Sequence, residues 1–289
     1  MKTNTRIDAL VPWHPHFDRG SPMFEPLRPW LESLRDCADW PGLDDLQRLL
    51  DELEQPLRTR HGVALRVVAQ DGRPEHFEQH YAPRIFYGGE IQTRRRNWHD
   101  FFQLLSWLVF PRAKAAINAI HVPYARARLD GAGERGRRTP IENMLSLFDE
   151  GGAVLLSSDQ SLLQRVRDFD WKTLFWERRD ELDGSFECIV FGHAMYEKGL
   201  KPYLGMTANS ILLEVDADYF RLPLDQRLEQ VDHRLAETFE RGDVYTGPRD
   251  LNPFPILGLP GWDPANAVEN YYDNRDYFRP GRGRRPDPG

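Results

Sequence analysis

Cysteine is almost absent: Cys37 and Cys188 are the only two in 289 residues. Neither stands in a Cys-x-x-Cys or His-flanked spacing, which excludes a disulfide scaffold and a zinc knuckle and leaves both as small buried apolar residues. Long apolar runs are missing too. The strongest, Phe101 to Phe110, is ten residues long and contains Gln103 and Ser106, well short of the roughly 20 that a membrane-spanning helix needs. Met1 to Leu10 offers Lys2 and Arg6 but no apolar centre and no small-residue cleavage site. No secretory signal is expected, and the expected compartment is the cytoplasm. Gly-x-Gly-x-x-Gly, Gly-x-x-x-x-Gly-Lys-Ser/Thr, His-Glu-x-x-His and Gly-x-Ser-x-Gly are all lacking. Dinucleotide, P-loop, zincin and serine-hydrolase readings have no foothold.

What is there is a foldable mixture. Apolar residues make up 40% and charged residues 29%, with 8 Trp, 10 Tyr and 16 Phe, a balance that buries a core rather than staying disordered. The length suits one large domain or two ordinary ones. A net charge of −7 argues against a general nucleic-acid coat, yet Thr93 to Arg138 holds ten Lys/Arg against three Asp/Glu. That local excess of +7 leaves −14 on the remainder.

Periodicity places the elements. Leu27, Trp30, Leu31 and Leu34 stand at helical spacing. A second helix follows Pro41-Gly42, with Leu43, Leu46, Leu49, Leu50 and Leu53 on one face and Pro56 as its stop. Val63 to Val68 reads as a strand, as does Tyr81 to Tyr87 before Gly88-Gly89. Asn97 with Asp100 is expected to cap an apolar helix, which Pro111 ends or follows with another over roughly Arg112 to His121. Ala125 to Thr139, rich in Gly and Arg, is expected to be a mobile loop or lid. Leu145 to Leu156, two apolar runs around Gly151-Gly152, has the pattern of a β-hairpin with Asp149 near its tip.

Farther on, Ser158 or Asp159 can cap a helix to about Phe169. Phe186 to Phe191 reads as a buried strand, and Gly192-His193 opens a helix through Glu197. Ile211 to Val215 is another strand, and Leu224 to Phe239 an amphipathic helix stopped by Gly242. Pro253, Pro255, Pro260 and Pro264 forbid regular structure, although Phe254, Ile256, Leu257 and Trp262 suggest a loop packed on the body. The expected fold is α+β: a mixed sheet with a hairpin, packed by helices from the N-terminal third and the 97–121 segment. Residues 1–80 form a helical lead-in, 81–262 the main domain, and 263–289 an irregular tail, largely disordered after about Phe278.

Five stretches resemble a known family: Tyr81-x-x-Arg84-Ile85, Thr93-Arg94-x-x-Asn97-Trp98-His99-Asp100-Phe101-Phe102, Leu147-Phe148-Asp149-Glu150, Phe191-Gly192-His193-Ala194 and Pro255-x-Leu257-Gly258-x-Pro260-Gly261-Trp262. They look like the bacterial domain-of-unknown-function family 3025. The resemblance runs from about Tyr81 to Trp262 and implies no assigned activity.

Candidate site residues lie in these stretches. His99 can serve as base or metal ligand with Asp100 as its partner, beside Asn97, Trp98 and an anion-gripping Arg94. Neighbouring helix positions diverge by about 100°, so His99 and Asp100 do not easily face one point, and capping is the competing role for Asn97 and Asp100. His193 and Glu197, four apart, share a helix face and could bind a metal or form a base with its orienting carboxylate. Asp149 and Glu150 could complete a divalent-cation site of nitrogen and oxygen ligands, but are also ordinary turn residues. Arg84 and the Arg94-Arg95-Arg96 run suit a phosphate or carboxylate, or simply solvent. The expected function is a metal-assisted hydrolase of an anionic small molecule or nucleic-acid end, with His99, Asp100, Asp149, His193 and Glu197 catalytic and Arg84, Arg94, Asn97 and Trp98 binding substrate. Its rival is a non-catalytic module docking a polyanion or acidic protein through the basic 93–138 segment. The sequence alone does not choose.

Overall fold

The computed structural model describes residues 11–70, 72–130 and 138–281. Residues 131–137, with all three glycines of the expected lid, and the end of the tail (282–289) lie outside them, as does the N-terminal decapeptide.

The lead-in winds as three 3-10 turns, Phe17–Gly20, Pro22–Trp30 and Glu32–Leu34, where the leucine spacing predicts an α-helix. Pro26 and Pro29, inside the second of these turns, are the reason, since each lacks the N–H that an α-helical interior uses. Met23, Phe24, Leu27, Leu31 and Leu34 reach the core all the same. Helix α1 spans Leu43–Asp51. Strand β1 (Arg66–Ala69) pairs in parallel with β2 (Glu90–Thr93). Between them, Tyr81–Gly88 is a helix, α2, and not the expected strand. Pro83 sits in its first turn, where no intrahelical N–H is lost. Gly89 closes it at φ 67°, and a Cβ there would meet the Ala64 carbonyl oxygen at 2.1 Å, so glycine alone fits.

Helix α3 (Trp98–Val109) is buried at every position except His99, as befits a helix without a polar face. Asn97 caps it by accepting from the Asp100 N–H at 2.9 Å. Trp98 stacks on Trp13 and Phe102, ring centroids 5.3 and 5.4 Å away, and donates to the Val11 carbonyl. Aromatic packing of this kind fastens the lead-in to the core. Pro111 then opens α4, which runs on to Leu129 through the first part of the expected lid. The glycines of that stretch lie at 131, 133 and 136, while Ala125, Arg126 and Arg128 before them are good helix formers.

Helix α8 (Leu224–Arg241) packs along α4. Its Asp232 accepts from the Arg112 and Ala113 N–H groups at 3.0 and 2.8 Å, orphan donors that Phe110 at the N-cap cannot satisfy. Asp232 is 2% exposed, and burial pushes its pKa up to about 6. Asp232→Ala is expected to cost about 2 kcal/mol, seen as a lower urea midpoint at unchanged slope. A wild-type midpoint would show that the α4 N-terminus does not depend on this cap.

Helix α5 (Pro140–Gly151) runs directly into strand β3 (Gly152–Ser157), so the hairpin expected over 145–156 is absent. Gly151-Gly152 marks a helix-to-strand junction, and Asp149 and Glu150 sit on the last turn of a helix rather than at a hairpin tip. The sheet runs β4–β3–β5–β6, with β4 at Phe186–Val190, β5 at Thr207–Glu214 and β6 at Asn252–Pro255. β3 and β5 are parallel and the two outer pairs antiparallel. The fold is therefore α+β with a mixed sheet. Strand β6 replaces the irregular backbone expected around Pro253 and Pro255, because an edge strand tolerates proline where the missing N–H faces away from the ladder. Helices α6 (Gln160–Asp168, capped by Asp159) and α7 (His193–Gly199) stand where the sequence places them. Past Phe278 the chain is still held, since the Arg279 carbonyl accepts from the Trp171 indole at 2.8 Å. Cys37 and Cys188 are half-buried and unpaired. Among the described residues, no helix is long and apolar enough to cross a membrane.

Candidate functional site

The register of the sheet builds the site. Antiparallel pairing sets Ala153 of β3 opposite Val190 of β4, so residues just before β3 and just after β4 become neighbours. The Phe191 and Gly192 N–H groups both donate to the Gly152 carbonyl at 3.0 Å. The last turn of α5, with Asp149 and Glu150, thus meets the first turn of α7, with His193. Helix α3 packs on α7 and contributes His99.

Two imidazoles face each other there. His99 Nε2 and His193 Nε2 are 3.1 Å apart, with the rings at 77°. Behind His99, Glu197 Oε2 lies 3.1 Å from Nδ1. Behind His193, Asp149 Oδ2 lies 3.9 Å from Nδ1, an atom that is buried without a hydrogen bond. Glu150 Oε2 stands 3.7 Å from His193 Nε2. Lys114, 3% exposed, holds the other Asp149 oxygen at 2.5 Å. His193 and Glu197 share the α7 face, as their spacing predicts, but both engage His99 rather than each other.

Electrostatics separate the two rings. Burial pushes the His193 pKa down to about 3. For His99, burial alone would lower it, but the Glu197 hydrogen bond and the charges of Glu150, Glu197 and Asp100 outweigh that and hold it above the ordinary value. Burial would likewise raise Asp149, but Lys114 and the nearby imidazoles keep its carboxyl below the usual range. Glu150 goes the other way, raised by burial. A consistent proton inventory follows. Whenever His99 is protonated it donates from Nδ1 to Glu197 and from Nε2 to His193, and the proton of a neutral His193 then belongs on Nδ1, on the side of Asp149.

These groups open on a cleft of about 1320 Å³, roomier than the few hundred to about 1,000 Å³ of most small-molecule sites. Arg84 and Arg94 line it, each already holding a carboxylate. Arg84 Nε is 2.5 Å from Glu90, and Arg94 forks onto Asp100 with Nε and Nη2 both at 2.8 Å. That fork, plus the Arg94 backbone N–H, fully occupies Asp100, so the expected His99–Asp100 pairing is replaced by His99–Glu197. Asn97 and Trp98 lie outside the cleft: Asn97 caps α3, and Trp98, 0% exposed, is a core residue. Their expected substrate-binding role has no surface to act through.

Sequence reasoning missed Lys114, Asn118 and His121, which α4 turns into the cleft. Their signal is polar residues at i, i+4 and i+7 in a helix otherwise rich in Ala and Ile. Arg138 was passed over as well. Its guanidinium donates to the Ser146 hydroxyl at 3.0 Å and, among the described residues, pairs with no carboxylate.

No curated protein and no solved structure matches the chain. One family model matches residues 65–282, about three-quarters of the length and including every residue of the site. The chain belongs to that family, described as Protein of unknown function (DUF3025).

Proposed function

We propose that the cleft is the active site of a metal-assisted hydrolase acting on an anionic ester, with the ion held by His99 Nε2, His193 Nε2 and the Glu150 carboxylate. The observation that carries this reading is the convergence of one ligand atom from each residue within 4.8 Å. Two nitrogens on a tetrahedral ion with metal–nitrogen bonds of about 2.0–2.1 Å lie about 3.3 Å apart, close to the 3.1 Å between the two rings. Two imidazoles and a carboxylate suit Zn²⁺ and neighbouring first-row ions, and three protein ligands leave a position for water or substrate. A carboxylate stands behind each ring, the arrangement that orients ligating histidines.

An ion held by these three residues would lower the pKa of a bound water toward about 7 and so supply the nucleophile. The chain's own residues do the rest. Glu197 holds the His99 tautomer, Asp149 restrained by Lys114 faces His193 Nδ1, and Arg138 offers the rim an unneutralised cation for the substrate's anionic group. The rival polyanion-docking reading is weakened by pairing within the basic segment, where Arg96, Arg112, Arg126 and Arg128 face Asp39, Glu229, Glu78 and Glu142.

The test is titration of EDTA-stripped protein with Zn²⁺, Co²⁺ and Mn²⁺, bound metal being counted by elemental mass spectrometry. One ion per chain is expected, lost in both His99→Ala and His193→Ala, with metal-dependent turnover of bis(p-nitrophenyl) phosphate. Wild-type protein that takes up none of the three ions overturns the reading. Glu197→Gln is expected to weaken metal binding by about 10–100-fold. Affinity should also fall as the pH drops below the raised pKa of His99, because the ring must surrender its Nε2 proton to the solvent before it can ligate.

A further inference from the structure

The lining of the cleft carries a feature that the histidine cluster does not use. Trp107 of α3 and Asn118 of α4 both line it, at 1% and 5% exposure. The Trp107 indole Nε1 and the Asn118 Oδ1 are buried with no hydrogen-bond partner. The Asn118 amide is oriented by its other end, Nδ2 donating to the Ala82 carbonyl at 3.0 Å, so the atom left over is an acceptor. An indole N–H can only donate, and an amide oxygen can only accept. Neither touches bulk water, so each carries a desolvation cost of about 1–3 kcal/mol until a ligand group is seated against it.

The charges nearby are already matched. Lys114, 5.7 Å from the Trp107 ring centroid, is paired with Asp149. Among the described residues, Trp107, Asn118 and Lys114 thus present one unmet donor, one unmet acceptor and no unpaired charge. Hydroxyls are the groups that answer both, since an uncharged hydroxyl can accept from the indole N–H or donate to the amide oxygen. We propose that Trp107 and Asn118 form a subsite for the hydroxyl-bearing part of the substrate, making that substrate a sugar or polyol phosphate whose anionic end lies toward Arg138. The inference rests on the cleft being the substrate site and is independent of which ion, if any, the histidines hold.

Calorimetry with the full chain tests it, using glycerol 3-phosphate and ribose 5-phosphate against ethyl phosphate, which lacks hydroxyls. The hydroxylated esters are expected to bind about four- to hundredfold tighter, the product of two neutral hydrogen bonds worth roughly two- to tenfold each. In Trp107→Phe, which keeps the ring and loses the N–H, and in Asn118→Leu, that preference should shrink severalfold while ethyl phosphate binding is unchanged. Equal binding of all three esters by wild type, or a preference that survives both substitutions, overturns the subsite. So does failure of every ester to bind. Zn²⁺ uptake, measured in parallel on the same three proteins, reports separately on the histidine cluster and on whether the variants remain folded.

Discussion

Lowering the pH from about 7 to about 4 is expected to remove several kcal/mol of stability from the metal-free protein. Burial pushes His121 down to about 4 and His193 to about 3, against about 6.5 in an unfolded chain. As the pH falls below 6.5, the unfolded chain takes up protons that the folded one refuses, so the unfolded state gains. At about 1.4 kcal/mol per pH unit, the roughly 2.5 units between about 6.5 and about 4 are worth on the order of 3 kcal/mol for each ring, and the two together less than their sum because both lie near Lys114 and Asp149. His99 works in the opposite sense. Its raised pKa contributes stability that is present below 6.5 and lost as the pH rises through the folded value. Asp232, raised by burial to about 6, and Glu150, raised likewise, also gain stability on acidification, so the net fall of the EDTA-treated protein toward acid is smaller than the two buried imidazoles alone would give. Urea midpoints measured across this range should decline less in His121→Gln, by about 3 kcal/mol at the acid end. A variant curve parallel to the wild type would mean that His121 is as easily protonated in the folded state as outside it.

Gly192→Ala is expected to destabilise the fold by about 3 kcal/mol, the upper end of the overpacking range, and to abolish metal uptake. The backbone at Gly192 is unstrained, φ −70° and ψ 121°, so the obstacle is space. A Cβ would meet the Gly152 nitrogen at 2.4 Å and the Glu150 carbonyl oxygen at 2.5 Å. Both are main-chain atoms and cannot swing aside as a side-chain end can. Relief requires the start of β3 to move from the end of β4, which breaks the two N–H bonds to the Gly152 carbonyl. The same movement separates Glu150 from His193. Denaturation midpoint and metal stoichiometry should fall together. A Gly192→Ala protein with wild-type stability and a full metal complement would show that the α5–α7 junction is slack enough to need no glycine.

Local signals were reliable where the chain needed no distant partner. The Asn97 cap with its apolar run, the Asp159 cap, Gly192 opening α7 and the leucine stripe of α8 are all short-range patterns, and all appear as read. Failures came where one composition serves two conformations. Tyr81–Gly88 has the aromatic content of a strand but pairs with nothing and coils as α2. Leu145–Leu156 carries glycines that suit a hairpin turn equally as a helix exit, and only packing against the sheet decides. Pro253 and Pro255 looked prohibitive until an edge position made their missing donors harmless.

The sequence by itself determined the α+β class, the buried central helix, the caps and the family, and it singled out as candidates both imidazoles, His99 and His193, and the carboxylates around them, Asp149, Glu150 and Glu197. Only the tertiary structure decided how they combine. Asp100 turns to Arg94 and Glu197 takes its place behind His99, because adjacent positions on α3 point about 100° apart and α7 crosses on the His99 side. Glu150 approaches His193 because β3 and β4 pair antiparallel in one register. That register is set by which faces are buried across the sheet, a property shared between segments and written in neither of them alone.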